Sequence, residues 1–288
     1  MKKLYYLILL FSTINIIDIT VAQQVDTNLI ELHGNTYFHI SNNSNNKLII
    51  YLHGGVRNPY FKEHENEIDV NYLMENNKLF VAQSLKNGYD LLLPITNEKL
   101  NWIKDYVYCL QTIKDYIDQH SKKYNEHYIS GFSDGGTGSY KMFYSDPAYF
   151  DGLIVFNGNP MHKWYAKTVN YEIVKDKKVI FIGTKNDKVM HYEFMLTEYC
   201  KQKLTNSNTY IYLTEGEHSF SYYQQKDIDV VFDILNTLED NTQNKPIHAY
   251  IRKDTVVEFY KYRRSIYRKY GHGLDYYKIN KKQQAQYN

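Results

Sequence analysis

The chain has 288 residues, 43% of them hydrophobic and 23% charged, a balance that belongs to globular proteins and allows one large domain or a domain with an appendage. Its two cysteines, Cys109 and Cys200, lack CxxC or metal-type spacing, so redox motifs and zinc modules are excluded. Tyr is unusually common at 31 copies, which we read as compositional bias before function.

The net charge of +2 hides an uneven distribution. Residues 245–288 hold eleven basic and three acidic side chains, a net of +8, and residues 1–22 carry +1, which leaves −7 on residues 23–244. An acidic body with a basic, Tyr-rich extension is therefore expected. Val256, Val257, Phe259 and Ile266 favour packing of the extension on the body over binding to an external anionic surface. Nucleic acid is not an expected partner.

In chain order, Lys2 and Lys3 precede an apolar stretch from Leu4 to Ile17, and Thr20-Val21-Ala22 offers small residues before Gln23. This is the pattern of a signal peptide over 1–22, and it predicts an exported protein, periplasmic or extracellular. Residues 23–244 are expected to form the main domain. Asn42 to Asn46 is a turn cluster, followed by a strand over Leu48 to Leu52 that ends at Gly54-Gly55. Further strands are expected at Leu91 to Leu93, His127 to Ser130, Leu153 to Phe156, Val179 to Ile182 and Tyr210 to Leu213.

Between them, Ile103, Tyr106, Val107, Leu110, Ile113 and Ile117 recur at three- and four-residue spacing, one stripe of a helix. Other helices are expected after Asp134, from Tyr192 to Lys203 and from Tyr222 to Leu238. Short apolar runs alternating with helices define an α/β class with a mostly parallel central sheet. Glu239 to Asn244 reads as a linker that closes the domain. Cys109 and Cys200 fall in separate helices; export permits their pairing, but buried free thiols are the simpler reading.

Four segments carry chemistry. Gly131-Phe132-Ser133-Asp134-Gly135 is a G-x-S-x-G motif set between a strand and a helix. His53-Gly54-Gly55 follows the first predicted strand. Asp187 follows the strand at Val179 to Ile182, and His218 follows the strand at Tyr210 to Leu213. Ser, Asp and His thus stand in that order, each past the C-terminal end of a strand, where open α/β sheets hold their sites.

In this combination the chain resembles the α/β-hydrolase superfamily over roughly Tyr37 to Leu238. It looks nearest to small carboxylesterases and to dienelactone-hydrolase-like or polyhydroxyalkanoate-depolymerase-like esterases. The resemblance implies catalysis by Ser133, Asp187 and His218, with backbone N–H groups of Gly55 and Asp134 forming the oxyanion hole. It implies a small-molecule or polymeric acyl ester as substrate, and no metal or organic cofactor. Peptidases, acyltransferases and catalytically silent binding proteins use the same framework and are the alternatives.

Asp227 and Asp229 are poor candidates for the acid, since both fall in the last predicted helix. His53 reads better as a loop-holding side chain than as a catalytic one, and with Trp102 and Phe132 it is a candidate substrate contact. Trp102, Phe132, Met161 and Trp164 are the aromatic and apolar candidates for the substrate pocket, with Glu63, Glu65, Glu67 and Asp69 on a neighbouring acidic loop. The short span from Asn157 to Lys178 leaves little room for a cap domain.

The N-terminal pattern makes one direct prediction. Protein recovered from its native source should begin near Gln23 and be found outside the cytoplasm, as N-terminal sequencing of fractionated cells would reveal. An intact Met1 on soluble cytoplasmic protein would overturn it.

Overall fold

Short apolar runs become parallel strands when helices cover both faces of a sheet, and this sequence supplies both. The computed structural model describes residues 25–42, 44–55, 70–97, 100–159, 170–203 and 205–237. Its strands are β1 (Val25–Leu32), β2 (Asn35–Asn42), β3 (Lys47–Leu52), β4 (Tyr89–Pro94), β5 (Glu126–Phe132), β6 (Gly152–Phe156), β7 (Lys178–Thr184) and β8 (Thr209–Thr214). They form one sheet in the order β1-β2-β4-β3-β5-β6-β7-β8. The β1–β2 and β2–β4 pairs are antiparallel, and every pair from β4 to β8 is parallel.

Alternation along the central strands splits the core in two. Leu48, Ile50 and Leu52 face one side, with Leu153, Val155, Val179 and Phe181. Helices α2 (Tyr106–Gln119), α3 (Asp134–Ser145) and α4 (Tyr192–Gln202) cover that side through residues such as Ile113, Phe143 and Met195. Ile49, Tyr51, Ile154, Phe156, Ile180 and Ile182 face the other side. There α1 (Val70–Lys86) and α5 (Gln225–Asn236) cover them through Phe80, Val231 and Phe232. The layered α/β expectation holds.

All six predicted strands are present, each at its expected place. The β1–β2 hairpin and α1 were not expected. The hairpin is hidden because β1 is a half-exposed edge whose polar residues mask its alternation, with Leu29 itself 59% exposed. Polar Asn76, Asn77 and Lys78 interrupt the apolar stripe of α1. Of the predicted stripe, Ile103 lies in the turn before α2, and one residue on the helix itself was misplaced. Val107 is 63% exposed, because the inward face of α2 runs through Cys109, Leu110, Ile113, Tyr116 and Ile117. The last predicted helix begins later than expected, at Gln225, after a single 3₁₀ turn at Phe220–Tyr222. Residues 1–22, the 56–69 loop, Met161, Trp164 and the 239–288 linker and extension lie outside the described residues. No helix among those described is long and apolar enough to cross a membrane.

Cys109 is a free, buried thiol, and burial pushes its pKa up to about 12. It stays protonated and inert. Many tyrosines also enter the core, several of them with a partner for the hydroxyl. Tyr37 donates to Thr112 Oγ1 at 2.6 Å and Tyr51 to Asn77 Oδ1 at 2.6 Å, while Tyr140 and Tyr171 both donate to the buried Glu198 carboxylate. A ring buried with its hydroxyl satisfied gains apolar contact without the cost of an orphaned donor.

Beneath the antiparallel half, Asp90 is fully buried and accepts from Lys123 Nζ and Tyr124, each at 2.7 Å, and from the Asn42 backbone N–H at 2.8 Å. His39 Nε2 lies 2.9 Å from the same Tyr124 oxygen. Since Tyr124 spends its proton on Asp90, the imidazole N–H donates. Burial lowers the His39 pKa to about 4.

A histidine held neutral in the fold but free to protonate when unfolded stabilises fully above its ordinary pKa of about 6.5. That stability fades as pH falls toward 4, by up to about 1.4 kcal/mol per pH unit. Urea unfolding at stepped pH should therefore show stability falling from pH 6.5 to 4. His39→Gln keeps an N–H for Tyr124 but cannot titrate, so its dependence should be shallower. Equal slopes for the two proteins would remove His39 as the cause.

Candidate active site

Ser133 sits at the turn from β5 into α3 with φ 56° and ψ −117°. A non-glycine residue in this region costs on the order of 1–3 kcal/mol, so the surroundings must hold it there. The Ser133 N–H donates to the Phe156 carbonyl at 2.9 Å, and its carbonyl accepts from the Thr137 N–H at 3.0 Å. The turn also needs a bare backbone one residue into the helix. A Cβ on Gly135 would overlap the carbonyl oxygen of Leu52, so α3 can press onto β3 only with glycine there.

His218 arrives from the loop after β8. Its Nε2 lies 2.8 Å from Ser133 Oγ, and its Nδ1 lies 2.7 Å from Asp187 Oδ2. A carboxylate only accepts, so the Nδ1 proton points to Asp187 and the Nε2 lone pair faces the serine hydroxyl. The structure thus joins Ser133, His218 and Asp187 in one hydrogen-bonded chain. Ser133 and Asp187 are 6% and 3% exposed. The imidazole edge remains partly open, with 19% of the side chain exposed.

A buried carboxylate is costly unless its oxygens are satisfied, and here both are. Asp187 Oδ1 accepts from the N–H groups of Val189 and Met190, each at 2.7 Å. Oδ2 accepts from His218 and, at 2.5 Å, from Asn157 Nδ2. Hydrogen bonds to a charged group contribute about 1.5–3 kcal/mol each, so four of them offset a desolvation cost of several kcal/mol.

The acid and histidine loops are tied together. Thr184 Oγ1 donates to the Glu217 carbonyl at 2.8 Å, the Lys185 N–H to Thr214 at 3.0 Å, and the Asn186 N–H to Gly216 at 3.0 Å. Gly216 adopts φ +140°, and a Cβ there would stand 2.7 Å from Tyr222 Cβ. A cavity of about 380 Å³ opens beside His218, between the turn holding Asn186, Lys188 and Val189 and the loop holding Ser219, Ser221 and Tyr222.

Two residues expected near a substrate are placed elsewhere. His53 is buried, with Nδ1 2.8 Å from the Gly54 carbonyl and Nε2 3.1 Å from Thr96 Oγ1. Burial lowers its pKa to about 4, so it is neutral, donating from Nδ1 and accepting at Nε2. It holds the Gly54-Gly55 loop and has no free edge for a ligand. Trp102 is fully buried and packs edge-on against His53 at 4.6 Å and over Gly138. It supports the loop from beneath.

Phe132 stays half-buried with its ring 5.0 Å from the His218 ring. Gly54 lies directly against Ser133, where an added Cβ would stand 3.0 Å from the serine Cβ. Gly55 follows with φ +84°, and Asp134 opens α3. The two discounted acids are elsewhere: Asp227 caps α5 and accepts from Tyr212 at 2.8 Å, and Asp229 pairs with Gln225 at 2.6 Å. No three His, Cys, Asp or Glu side chains among the described residues converge to hold a metal ion.

Sequence reasoning missed Asn157, Thr184 and Tyr223, all of which touch or brace the acid. Asn157 directly follows β6, the same kind of position that singled out Asp187, and that was its one available signal. Tyr223 lies in a loop and gave none.

No family model matches the sequence, and no curated protein matches it. Solved structures do. An esterase of Pyrococcus furiosus superposes with a TM-score of 0.55 at 16% identity, covering 74% of this chain and 92% of its own. The fluorophosphonate-binding serine hydrolase F of Staphylococcus aureus gives 0.55 at 15% identity, over 75% and 99%. A predicted CIB-like hydrolase of Thermoplasma acidophilum gives 0.51 at 18% identity, over 75% and 100%. The chain has the α/β-hydrolase fold.

Gly216 allows a check on this geometry without any substrate. A proton held between His218 Nδ1 and Asp187 should resonate far downfield in proton NMR spectra and vanish in Asp187→Ala. Gly216→Ala should fold with a loss of about 1–3 kcal/mol, because alanine is strained at its φ. It should shift or broaden the same resonance, since His218 lies two residues further on. An unmoved resonance would detach the Gly216 turn from the placement of the imidazole.

Proposed function

We propose that this protein is an exported serine hydrolase that cleaves an ester or thioester acyl bond through an acyl-enzyme on Ser133. The observation that carries the reading is the continuous chain from Ser133 Oγ through His218 to Asp187, at 2.8 and 2.7 Å. The esterase and serine-hydrolase names of the structural neighbours support it, as does the signal-like pattern of residues 1–22 for export.

In this reading His218 Nε2 takes the hydroxyl proton as Ser133 Oγ attacks the acyl carbon. Asp187, held by its own hydrogen bonds, keeps the imidazole oriented and stabilises its positive charge. The tetrahedral oxyanion is met by the N–H groups of Gly55 and Asp134, the second lying in the first turn of α3, where helical N–H groups lack intrahelical acceptors. The imidazolium then protonates the leaving alcohol or thiol. Water attacks the acyl-enzyme with His218 again as base, and free Ser133 is regenerated.

Phe132 and the cavity beside His218 provide the substrate surface. That cavity suits a group of modest size, and its lining mixes Asn186, Lys188 and Ser219 with Val189 and Tyr222. Outside the site, the +8 extension is proposed to rest on the −7 body rather than on an external anionic surface.

Purified mature protein should hydrolyse short activated esters and be labelled at Ser133 by a fluorophosphonate. Ser133→Ala or His218→Ala should each remove nearly all turnover, on the order of a thousandfold or more. Asp187→Asn should fold yet lose much of the rate. Resistance of the wild type to the probe, with no turnover of ester, thioester or amide, would overturn the enzyme reading in favour of a binding protein on the same fold.

A further inference from the structure

Asn157 has an unusual setting for a residue that lies next to no substrate. It is fully buried, and its backbone has φ 43°, a conformation that asparagine tolerates better than most side chains. Its N–H donates to the Ile182 carbonyl at 2.9 Å, which pins the end of β6 to β7. The side-chain nitrogen donates to Asp187 Oδ2 at 2.5 Å and to Thr184 Oγ1 at 2.7 Å. The side-chain oxygen accepts from Tyr223.

These partners fix which way the amide faces. Tyr223 is 4% exposed, and burial raises its pKa well above the usual value, so its hydroxyl keeps a proton to donate. A flipped amide would aim its oxygen at the Asp187 carboxylate and at Thr184 Oγ1, whose own proton goes to the Glu217 carbonyl. Both contacts would then be lost.

We propose that Asn157, oriented by Tyr223, is a positioning residue that fixes the Asp187 carboxylate against His218. The chain of contacts runs Tyr223, Asn157, Asp187, His218, Ser133, and joins the ends of β6, β7 and β8 to the elbow after β5. Backbone donors hold Asp187 Oδ1 from one side, and Asn157 holds Oδ2 from the other, so the carboxylate cannot rotate away from the imidazole. The inference rests on the hydrolase reading above, and it goes beyond it in giving Asp187 a dedicated side-chain partner.

Asn157→Asp tests it best, because it keeps the side-chain shape and the tolerance of positive φ while replacing the donor with a titrating group. The titratable groups around this position are Asp187, His218 and Tyr223, with Tyr51 and Asp227 around the Tyr223 ring. Two carboxyl groups at this distance cannot both ionise easily, so they share one proton over a wide range. While shared, that proton can still bridge to Asp187. Once it leaves, the two carboxylates repel.

With an activated ester, kcat of Asn157→Asp should therefore fall on the alkaline side with a limb that the wild type lacks, and KM should change little. Tyr223→Phe keeps the ring packed on Phe156 and Phe220 while removing the hydroxyl. It should lower kcat on the order of tenfold, again with KM little changed. Thermal midpoints and the fraction labelled by fluorophosphonate confirm that the comparison is made on folded enzyme.

A uniform loss at every pH in Asn157→Asp, or an unchanged kcat in Tyr223→Phe, overturns the proposal. Should Asn157→Asp fail to fold, Tyr223→Phe decides alone. An active Ser133→Ala would instead sink the hydrolase reading itself, so the two failures are told apart.

Discussion

The pressing of helix α3 onto strand β3 is the constraint from which the site follows. The Leu52 carbonyl occupies the space that a Cβ on Gly135 would need, so the chain can leave β5 and enter the helix within one residue. That abrupt reversal drives Ser133 to φ 56° and places its side chain at the sheet's C-terminal edge. A gentler turn would relieve the backbone and carry the hydroxyl away from His218. Backbone strain of a few kcal/mol is tolerable here because two large cores flank the turn and both of its peptide groups are hydrogen-bonded.

Everything opposite the serine is then a problem of holding two loops in register. Parallel pairing of β7 with β8 brings Thr184 level with Thr214, so the chain leaves the sheet at the same height on both strands. The hydrogen bonds from Thr184, Lys185 and Asn186 to the histidine loop continue that register past the strand ends. An imidazole that must meet a hydroxyl and a carboxylate at once tolerates little drift, and loops are ordinarily the most mobile parts of a fold. Here they behave as an extension of the sheet.

Polar groups are buried widely in this molecule, and the Tyr-rich composition explains how. Tyrosine fills core volume as phenylalanine does but carries a hydroxyl that can satisfy a buried acceptor. Asp90, Glu198 and Asn157 each rely on one or two such hydroxyls. Compositional bias toward Tyr has thus become structural, since these two carboxylates and this amide, costly in an aliphatic core, find hydroxyl partners in this one.

The sequence by itself determined the layer architecture, the six central strands, the order Ser133, Asp187, His218, and the glycines around the elbow. These are local signals: solid apolar runs, strand-to-helix transitions and residues just past strand ends. It could not reveal the β1–β2 hairpin, because an edge strand has only one neighbour and little apolar periodicity to show. It also placed His53 and Trp102 near a substrate, whereas packing puts them under the Gly54-Gly55 loop. The contacts of Asn157 and Tyr223 were decided only by tertiary structure. They come from loops 66 residues apart, and the sheet order that makes β6 and β7 neighbours is what brings the loop after β8 over both.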